Sequence, residues 1–87
     1  WYTNVYEDEG ARVLKYVVRP RERINLQAHY DLSKTWNVIS GTGKAVLDQE
    51  EVLLEKGKRV LVDRGVWYHI TNTGHEPLVF MATQIKL

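Results

Sequence analysis

The sequence predicts an all-β domain that folds as a small antiparallel barrel or jelly roll. Glycine and proline recur at short intervals and cut the 87-residue chain into short segments. These segments are rich in β-branched, aromatic and aliphatic residues, a composition that favours strands. No segment carries the apolar repeat of a helix of about ten residues or more. Short strands at regular spacing are typical of antiparallel barrels and jelly rolls.

Alternation of apolar and polar residues supports several of the strands. Leu14, Tyr16 and Val18 form a wholly apolar face of the first segment, and Lys15 interrupts its other face. Turns are expected at 41–43, 48–49, 56–57 and 72–74, where Gly, Asn and Asp gather. The best candidate for a helical turn is 32–34. The predicted strands are 12–19, 36–40, 44–47, 51–54, 59–62, 66–71 and 78–85.

Length and composition exclude several classes of protein. A chain of 10.2 kDa has room for one domain, residues 1–87. Twelve Lys and Arg against eleven Asp and Glu give a net charge of +1, which argues against a nucleic-acid partner. The absence of cysteine excludes disulfides and thiol chemistry. Without an apolar run of about 18 residues or a signal-peptide pattern, we expect no membrane partner and a cytoplasmic location.

One spacing in the second half of the chain matches a known motif. Gly57, Asp63, Gly65, Tyr68 and Asn72 follow one another at the intervals of the second signature of the cupin superfamily. That signature has Pro where this chain has Asp63 and His where it has Tyr68. The chain therefore resembles cupins, with two of five marker positions changed.

The first half of the chain narrows the resemblance. It reads LQAH at 26–29 and then WNVISGTG at 36–43. This run is similar to the mannose-6-phosphate isomerase type of cupin, which forms the C-terminal part of bifunctional mannose-1-phosphate guanylyltransferases and also occurs alone. The resemblance extends from about residue 13 to residue 84 and implies a cupin barrel, or double-stranded β-helix.

The metal site that this resemblance implies is degenerate in this chain. Such cupins hold a divalent ion with two His, one Glu and a third His, and only His29 keeps its identity. Asp31 stands at the second position, Lys34 at the Glu position and Tyr68 at the third His. His69 follows Tyr68, so it should face the other side of the strand. We expect no metal cofactor; the alternative is zinc, manganese or nickel held weakly through His29.

The same positions predict a ligand site. Gln27, His29 and Tyr68 offer hydrogen-bonding groups suited to sugar hydroxyls. Lys34 favours an anion such as a sugar phosphate or a carboxylate. Trp36 offers a flat aromatic face on which a sugar ring can stack. Together with Asp31, these residues are the candidate ligand-binding set.

Each candidate also has a structural interpretation. His29 could be a hydrogen-bonded histidine inside the barrel, and Asp31 a partner for Lys34. The Lys34 side chain could instead extend from the barrel mouth into water. Tyr68 could fill the volume of the lost metal, and Trp36 could serve core or dimer packing.

Three functions remain open from the sequence. The first is a binding module for a sugar or a small carboxylate in the barrel cavity. The second is an aldose–ketose isomerase, in which His29 is the base and Lys34 or Tyr68 polarises the carbonyl. The third is a structural dimerising domain. A homodimer is expected in any case, because a short chain with apolar groups on both strand faces gains by burying more surface.

Overall fold

The computed structural model describes residues 1–26 and 32–86, and this part of the chain forms nine β-strands. The strands are β1 Tyr2–Glu7, β2 Ala11–Val18, β3 Arg23–Leu26, β4 Leu32–Ser40, β5 Gly43–Leu47, β6 Glu50–Leu54, β7 Arg59–Val62, β8 Tyr68–Asn72 and β9 Leu78–Lys86. Within the described residues, no helix long and apolar enough to span a membrane occurs.

The strands form two antiparallel sheets that enclose the core. The larger sheet has the order β1-β2-β9-β4-β7, and the smaller sheet has the order β3-β8-β5-β6. Neighbours along both sheets run antiparallel. The inner faces of the two sheets bring their apolar side chains together between them. This arrangement confirms the predicted all-β cupin barrel.

The sequence analysis missed two strands and wrongly assigned one helical turn. The expected helical turn at 32–34 is the beginning of β4, where Leu32 pairs with Lys86 and Lys34 with Gln84. Pairing with β9 overrides the weak local preference of this segment. β1 and β3 were missed because all six residues of β1 are exposed and β3 has only four residues, so neither shows a clear alternation.

The predicted turns are confirmed where backbone geometry is most demanding. Gly41 has a φ of 86°, a left-handed conformation that favours glycine. A Cβ at Gly41 would collide with the Pro77 carbonyl oxygen and lie 2.8 Å from Leu78 Cα. Asp48 takes a φ of 55° in the β5–β6 hairpin, a conformation that Asp tolerates better than most residues. Both turns therefore depend on the residue types present.

The core is built from rows of side chains that lie across the larger sheet. Strand register places the members of each row side by side, and all point between the sheets. Nearly all members of these rows are buried, with Tyr16 partly so. The three apolar rows are Leu14, Ala82, Trp36 and Val60; then Tyr16, Phe80 and Val38; then Val18 and Leu78.

Asn72 joins three parts of the barrel at the end of β8. Its Nδ2 donates to the carbonyl oxygens of Val18 and Glu76, each at 2.8 Å. Its Oδ1 accepts from the Gly74 backbone N–H at 2.8 Å. The side chain is 1% exposed, so these bonds form away from water. The motif position that suggested a cupin is thus a structural cross-link.

Candidate functional site

A polar row closes one end of the apolar core. Arg12 on β2 pairs with Gln84 on β9, and Gln84 pairs with Lys34 on β4. These three residues lie two positions along from Leu14, Ala82 and Trp36 of the first apolar row, so they share its inward face. We call Arg12, Gln84 and Lys34 the polar row. The Arg12 Nη2 group donates to Gln84 Oε1 at 3.0 Å.

The smaller sheet contributes Tyr68 to the same end of the barrel. Lys34 Nζ donates to the Tyr68 hydroxyl oxygen at 3.0 Å and lies 5.0 Å from the centroid of its ring. Lys34 is 4% exposed and Tyr68 is 6% exposed. The structure therefore brings these two predicted site residues together inside the barrel. The alternative that Lys34 extends into water is wrong, because its side chain turns inward to Tyr68.

Tyr68 remains a phenol under ordinary conditions. Burial raises its pKa above the ordinary value of 10.0, and the neighbouring Tyr16 adds to the effect. Because the folded state holds this proton more tightly, the contribution to stability is complete below about pH 10 and is lost as the pH rises through the raised pKa. Lys34 can only donate in its bond with Tyr68, so the Tyr68 O–H is directed away from Lys34.

Trp36 lies directly below this pair. It is 1% exposed, meets the Tyr68 ring edge to face at 4.8 Å between centroids, and lies 5.6 Å from the Phe80 ring. Its contacts are those of a core residue that also supports Tyr68 from beneath. Stacking of a sugar on Trp36 stays a prediction. Trp67 lies on the surface, with 59% of its side chain exposed.

Three of the predicted site residues, Gln27, His29 and Asp31, lie outside the described residues, and their roles stay predictions. His69 behaves as expected from strand alternation. Its Nδ1 lies 3.2 Å from Arg23 Nη2, on the opposite face of β8 from Tyr68. His69 is therefore not a substitute for the imidazole that Tyr68 replaces.

Sequence reasoning missed Arg12 and Gln84. The signal was present in the alternation: the apolar face of β2 continues from Leu14 to Arg12, and that of β9 continues from Ala82 to Gln84. Each polar residue extends an otherwise apolar inner face by one step. What the sequence lacked was the register that places the two residues beside Lys34.

The described residues do not fit a divalent metal. Residues 1–26 and 32–86 contain no cluster of three or more His, Cys, Asp or Glu side chains that could hold one. At two positions where the family pattern has ligands, this chain has the Lys34 amine and the protonated Tyr68 phenol, bonded to each other. A metal ion prefers neutral imidazoles and anionic oxygens or sulfurs.

The chain resembles known proteins over nearly its whole length. A family model described as the mannose-6-phosphate isomerase C-terminal domain matches residues 1–86. Mannose-1-phosphate guanylyltransferase 2 of Escherichia coli O157:H7 is 30% identical over 77 residues, which cover 88% of this chain and 16% of that protein. The xanthan biosynthesis protein XanB of Xanthomonas campestris pv. campestris is 28% identical over 94 residues, covering 97% of this chain and 20% of that protein.

Solved structures share the fold. A conserved protein with a double-stranded β-helix domain from Klebsiella pneumoniae superimposes with a TM-score of 0.91 at 23% identity, over 99% of this chain and 76% of that one. The cupin domain of an XRE-family transcriptional regulator from Enterobacter cloacae gives 0.92 at 16% identity, over 100% of this chain and 96% of that one. At these identities the likeness shows the barrel alone.

Proposed function

Because the chain belongs to the family of mannose-6-phosphate isomerase C-terminal domains, we propose that it binds a sugar phosphate, a sugar or another small anionic molecule in the barrel cavity. We further propose that this binding needs no tightly held metal ion. The observation that carries the proposal is the buried contact between Lys34 and Tyr68, 3.0 Å from Nζ to the hydroxyl oxygen. A lysine inside a barrel is costly unless polar partners compensate its charge.

The pair supplies complementary groups to such a ligand. The Lys34 amine attracts an anionic or strongly polar oxygen, and the Tyr68 hydroxyl can donate to a second oxygen. Both groups sit where water is largely excluded, so their interactions with a ligand are stronger than at the surface. Trp36 holds the Tyr68 ring from below and itself packs against Phe80, which limits the freedom that binding would otherwise remove.

The relatives support a phosphorylated sugar as the ligand class. The relative from Escherichia coli O157:H7 is named mannose-1-phosphate guanylyltransferase 2. The chain spans only about a fifth or less of the length of these relatives. It also has no glycine-rich phosphate loop of the nucleotide-binding type. The proposal therefore concerns the sugar phosphate and not the nucleotide chemistry.

Aldose–ketose isomerisation is the catalytic form of the same proposal. It needs a base that moves a proton between two carbons and an electrophile that polarises the carbonyl. The Tyr68 O–H supports the electrophile role, because Lys34 occupies the oxygen as a donor and leaves the proton free to face a carbonyl. The base would be His29. Formation of fructose 6-phosphate from mannose 6-phosphate is the measurement that separates catalysis from binding.

Titration with mannose 6-phosphate and with mannose, followed by calorimetry, tests the binding proposal. We expect Lys34→Met to weaken mannose 6-phosphate binding by about tenfold or more, since a charge-assisted hydrogen bond is lost. Tyr68→Phe should weaken it by about fivefold, since one neutral hydrogen bond is lost. Lys58→Met, which removes an exposed amine, is the matched control and should leave the affinity unchanged. Equal affinity in all four proteins would refute the proposal.

We also propose that two copies of the chain associate through β1. This strand is an edge of the larger sheet, and it exposes Tyr2, Val5 and Tyr6. An edge strand offers unpaired backbone groups, and antiparallel pairing of β1 with its own copy is self-complementary under two-fold symmetry.

Light scattering coupled to gel filtration measures this association. We expect a mass of about 20 kDa for the dimer and a shift toward 10.2 kDa in Val5→Lys, which places a charge on the edge. Leu61→Lys on β7, the opposite edge of the same sheet, is the control and should remain dimeric. A monomeric parent protein, or dissociation by Leu61→Lys alone, would contradict the assignment.

A further inference from the structure

The polar row extends beyond Lys34 to a second cation at the rim of the barrel. A cavity of about 170 Å³ opens there, lined by residues 7–12, which include the carboxylates Glu7, Asp8 and Glu9, and by Leu32, Gln84 and Lys86. Arg12 also lines it and is half-buried. We propose that Arg12 and Gln84 form an anion subsite in this cavity, which holds a phosphate or carboxylate group of the ligand. This inference rests on the proposed function. It places the end of the ligand that lies farther from Tyr68 at Arg12 and Gln84.

The hydrogen bond between the two residues orients the Gln84 amide. A guanidinium can only donate, so the atom that accepts from Arg12 Nη2 at 3.0 Å must be Gln84 Oε1. Both Nε2 hydrogens of Gln84 are then turned away from Arg12. Within the described residues they meet no acceptor, while Gln84 itself lines the cavity. Arg12 and Gln84 therefore present donors only, which is the pattern that an anion requires.

In the part of the chain that the structure describes, none of the three rim carboxylates, Glu7, Asp8 and Glu9, forms an ion pair with Arg12. Asp8 Oδ1 accepts from the backbone N–H groups of Gly10 and Ala11, and Asp8 Oδ2 accepts from the Tyr6 hydroxyl. These bonds, the one from Tyr6 first, lower the pKa of Asp8. Glu7 accepts from the Asn4 amide at 2.8 Å.

In the described part of the chain, ion pairs form between Arg19 and Glu22 and between Lys44 and Glu51, and none involves Arg12. Among residues 1–26 and 32–86, the half-buried Arg12 guanidinium hydrogen-bonds the neutral Gln84 amide. A guanidinium paired in this way retains most of its capacity to bind an anion.

The distance between Arg12 and Lys34 in the polar row sets the length of a ligand that could contact both residues. Arg12 and Lys34 stand on strands separated by β9 alone, so their backbones are about 10 Å apart. A ligand that reaches both carries its phosphate or carboxylate at Arg12 and Gln84 and a second polar oxygen near Lys34. A neutral sugar would leave the Arg12 guanidinium without an anion. Arg12 is therefore a specificity residue for charged over neutral ligands.

Proton and nitrogen NMR titrations of the full chain test this subsite, with inorganic phosphate and with malonate as probes at constant ionic strength. We expect shifts of the Arg12 Nε–H and Gln84 Nε2 signals that saturate with the probe. Arg12→Gln should weaken phosphate binding by tenfold or more. Gln84→Glu should weaken it to a similar extent, because a carboxylate at this position pairs with Arg12 and repels the anion. The tighter of the two probes identifies the group that the subsite prefers.

Lys15→Gln is the matched control, since it removes one positive charge from the exposed face of β2. It should change phosphate affinity by less than twofold. The subsite is refuted if Arg12→Gln or Gln84→Glu, once folded, binds phosphate as the parent does, or if the parent shows no saturable shifts at Arg12 and Gln84. If Lys34→Met loses mannose 6-phosphate while Arg12→Gln keeps it, this inference fails and the proposed function stands. If neither variant alters binding, both fail.

Discussion

Replacement of Asn72 by aspartate is expected to lower the free energy of unfolding by about 4 kcal/mol. The Nδ2 group donates to the carbonyl oxygens of Val18 and Glu76, and the substitution puts an oxygen against both. One buried and one partly buried carbonyl lose their donor, and a carboxylate is left in a buried position. The loss approaches the whole stability of many small domains.

Urea denaturation followed by circular dichroism measures this change. Asn37→Asp makes the same chemical change at an exposed position of β4. It should shift the unfolding free energy by no more than about 0.5 kcal/mol. An Asn72→Asp protein as stable as the Asn37→Asp protein would show that the cross-link between β2, β8 and the following turn contributes little.

The double change Lys34→Glu with Tyr68→His is expected to raise zinc affinity at least about 100-fold. It removes an amine, adds an anionic ligand and a neutral imidazole, and so rebuilds the pattern that the family resemblance implies. The side-chain ends at these two positions meet inside the barrel at 3.0 Å. Two donors on a tetrahedral zinc ion, each about 2.0 Å from it, lie roughly 3.3 Å apart. The two positions therefore face a common region of the barrel interior, into which the introduced Glu and His side chains would project.

Competition with a chromophoric chelator measures this gain in affinity, and elemental analysis of the unmodified protein gives the reference. Each single variant should show less than about a tenth of the gain in zinc affinity that the double variant shows, because it supplies only one of the two ligands. Stoichiometric zinc, manganese or nickel in the unmodified protein would overturn the idea that the site is degenerate. A double variant with no gain would show that the remaining ligands do not converge.

The strands that were predicted and those that were missed differ in how they bury their side chains. β9 alternates between buried and more exposed residues from Leu78 to Gln84, and β2 keeps Leu14 and Val18 buried on one apolar face, so their period is visible in the sequence. β1 buries none of its residues and shows no period. At 32–34 the chain is extended because β9 pairs with it, and no local preference signals that pairing.

The candidate site could be predicted only in part for a related reason. Lys34 and Tyr68 stand at positions where the cupin signatures have metal ligands, so the resemblance implied that they share a cavity. Arg12 and Gln84 belong to no motif that we could identify, and their proximity to Lys34 depends on the register between β2, β9 and β4. Register is a property of long-range pairing, and a single sequence does not encode it in any short segment.

The apolar rows and the polar row occupy separate layers of the barrel interior, which bears on how such barrels diversify. Three apolar rows hold the sheets together. The polar row of Arg12, Gln84 and Lys34 lies beside the open rim. Substitutions in that row can change the ligand while leaving the apolar rows intact. Barrels with 16% and 23% identity to this chain keep nearly the same backbone. A lineage can thus exchange one binding preference for another without passing through an unfolded ancestor.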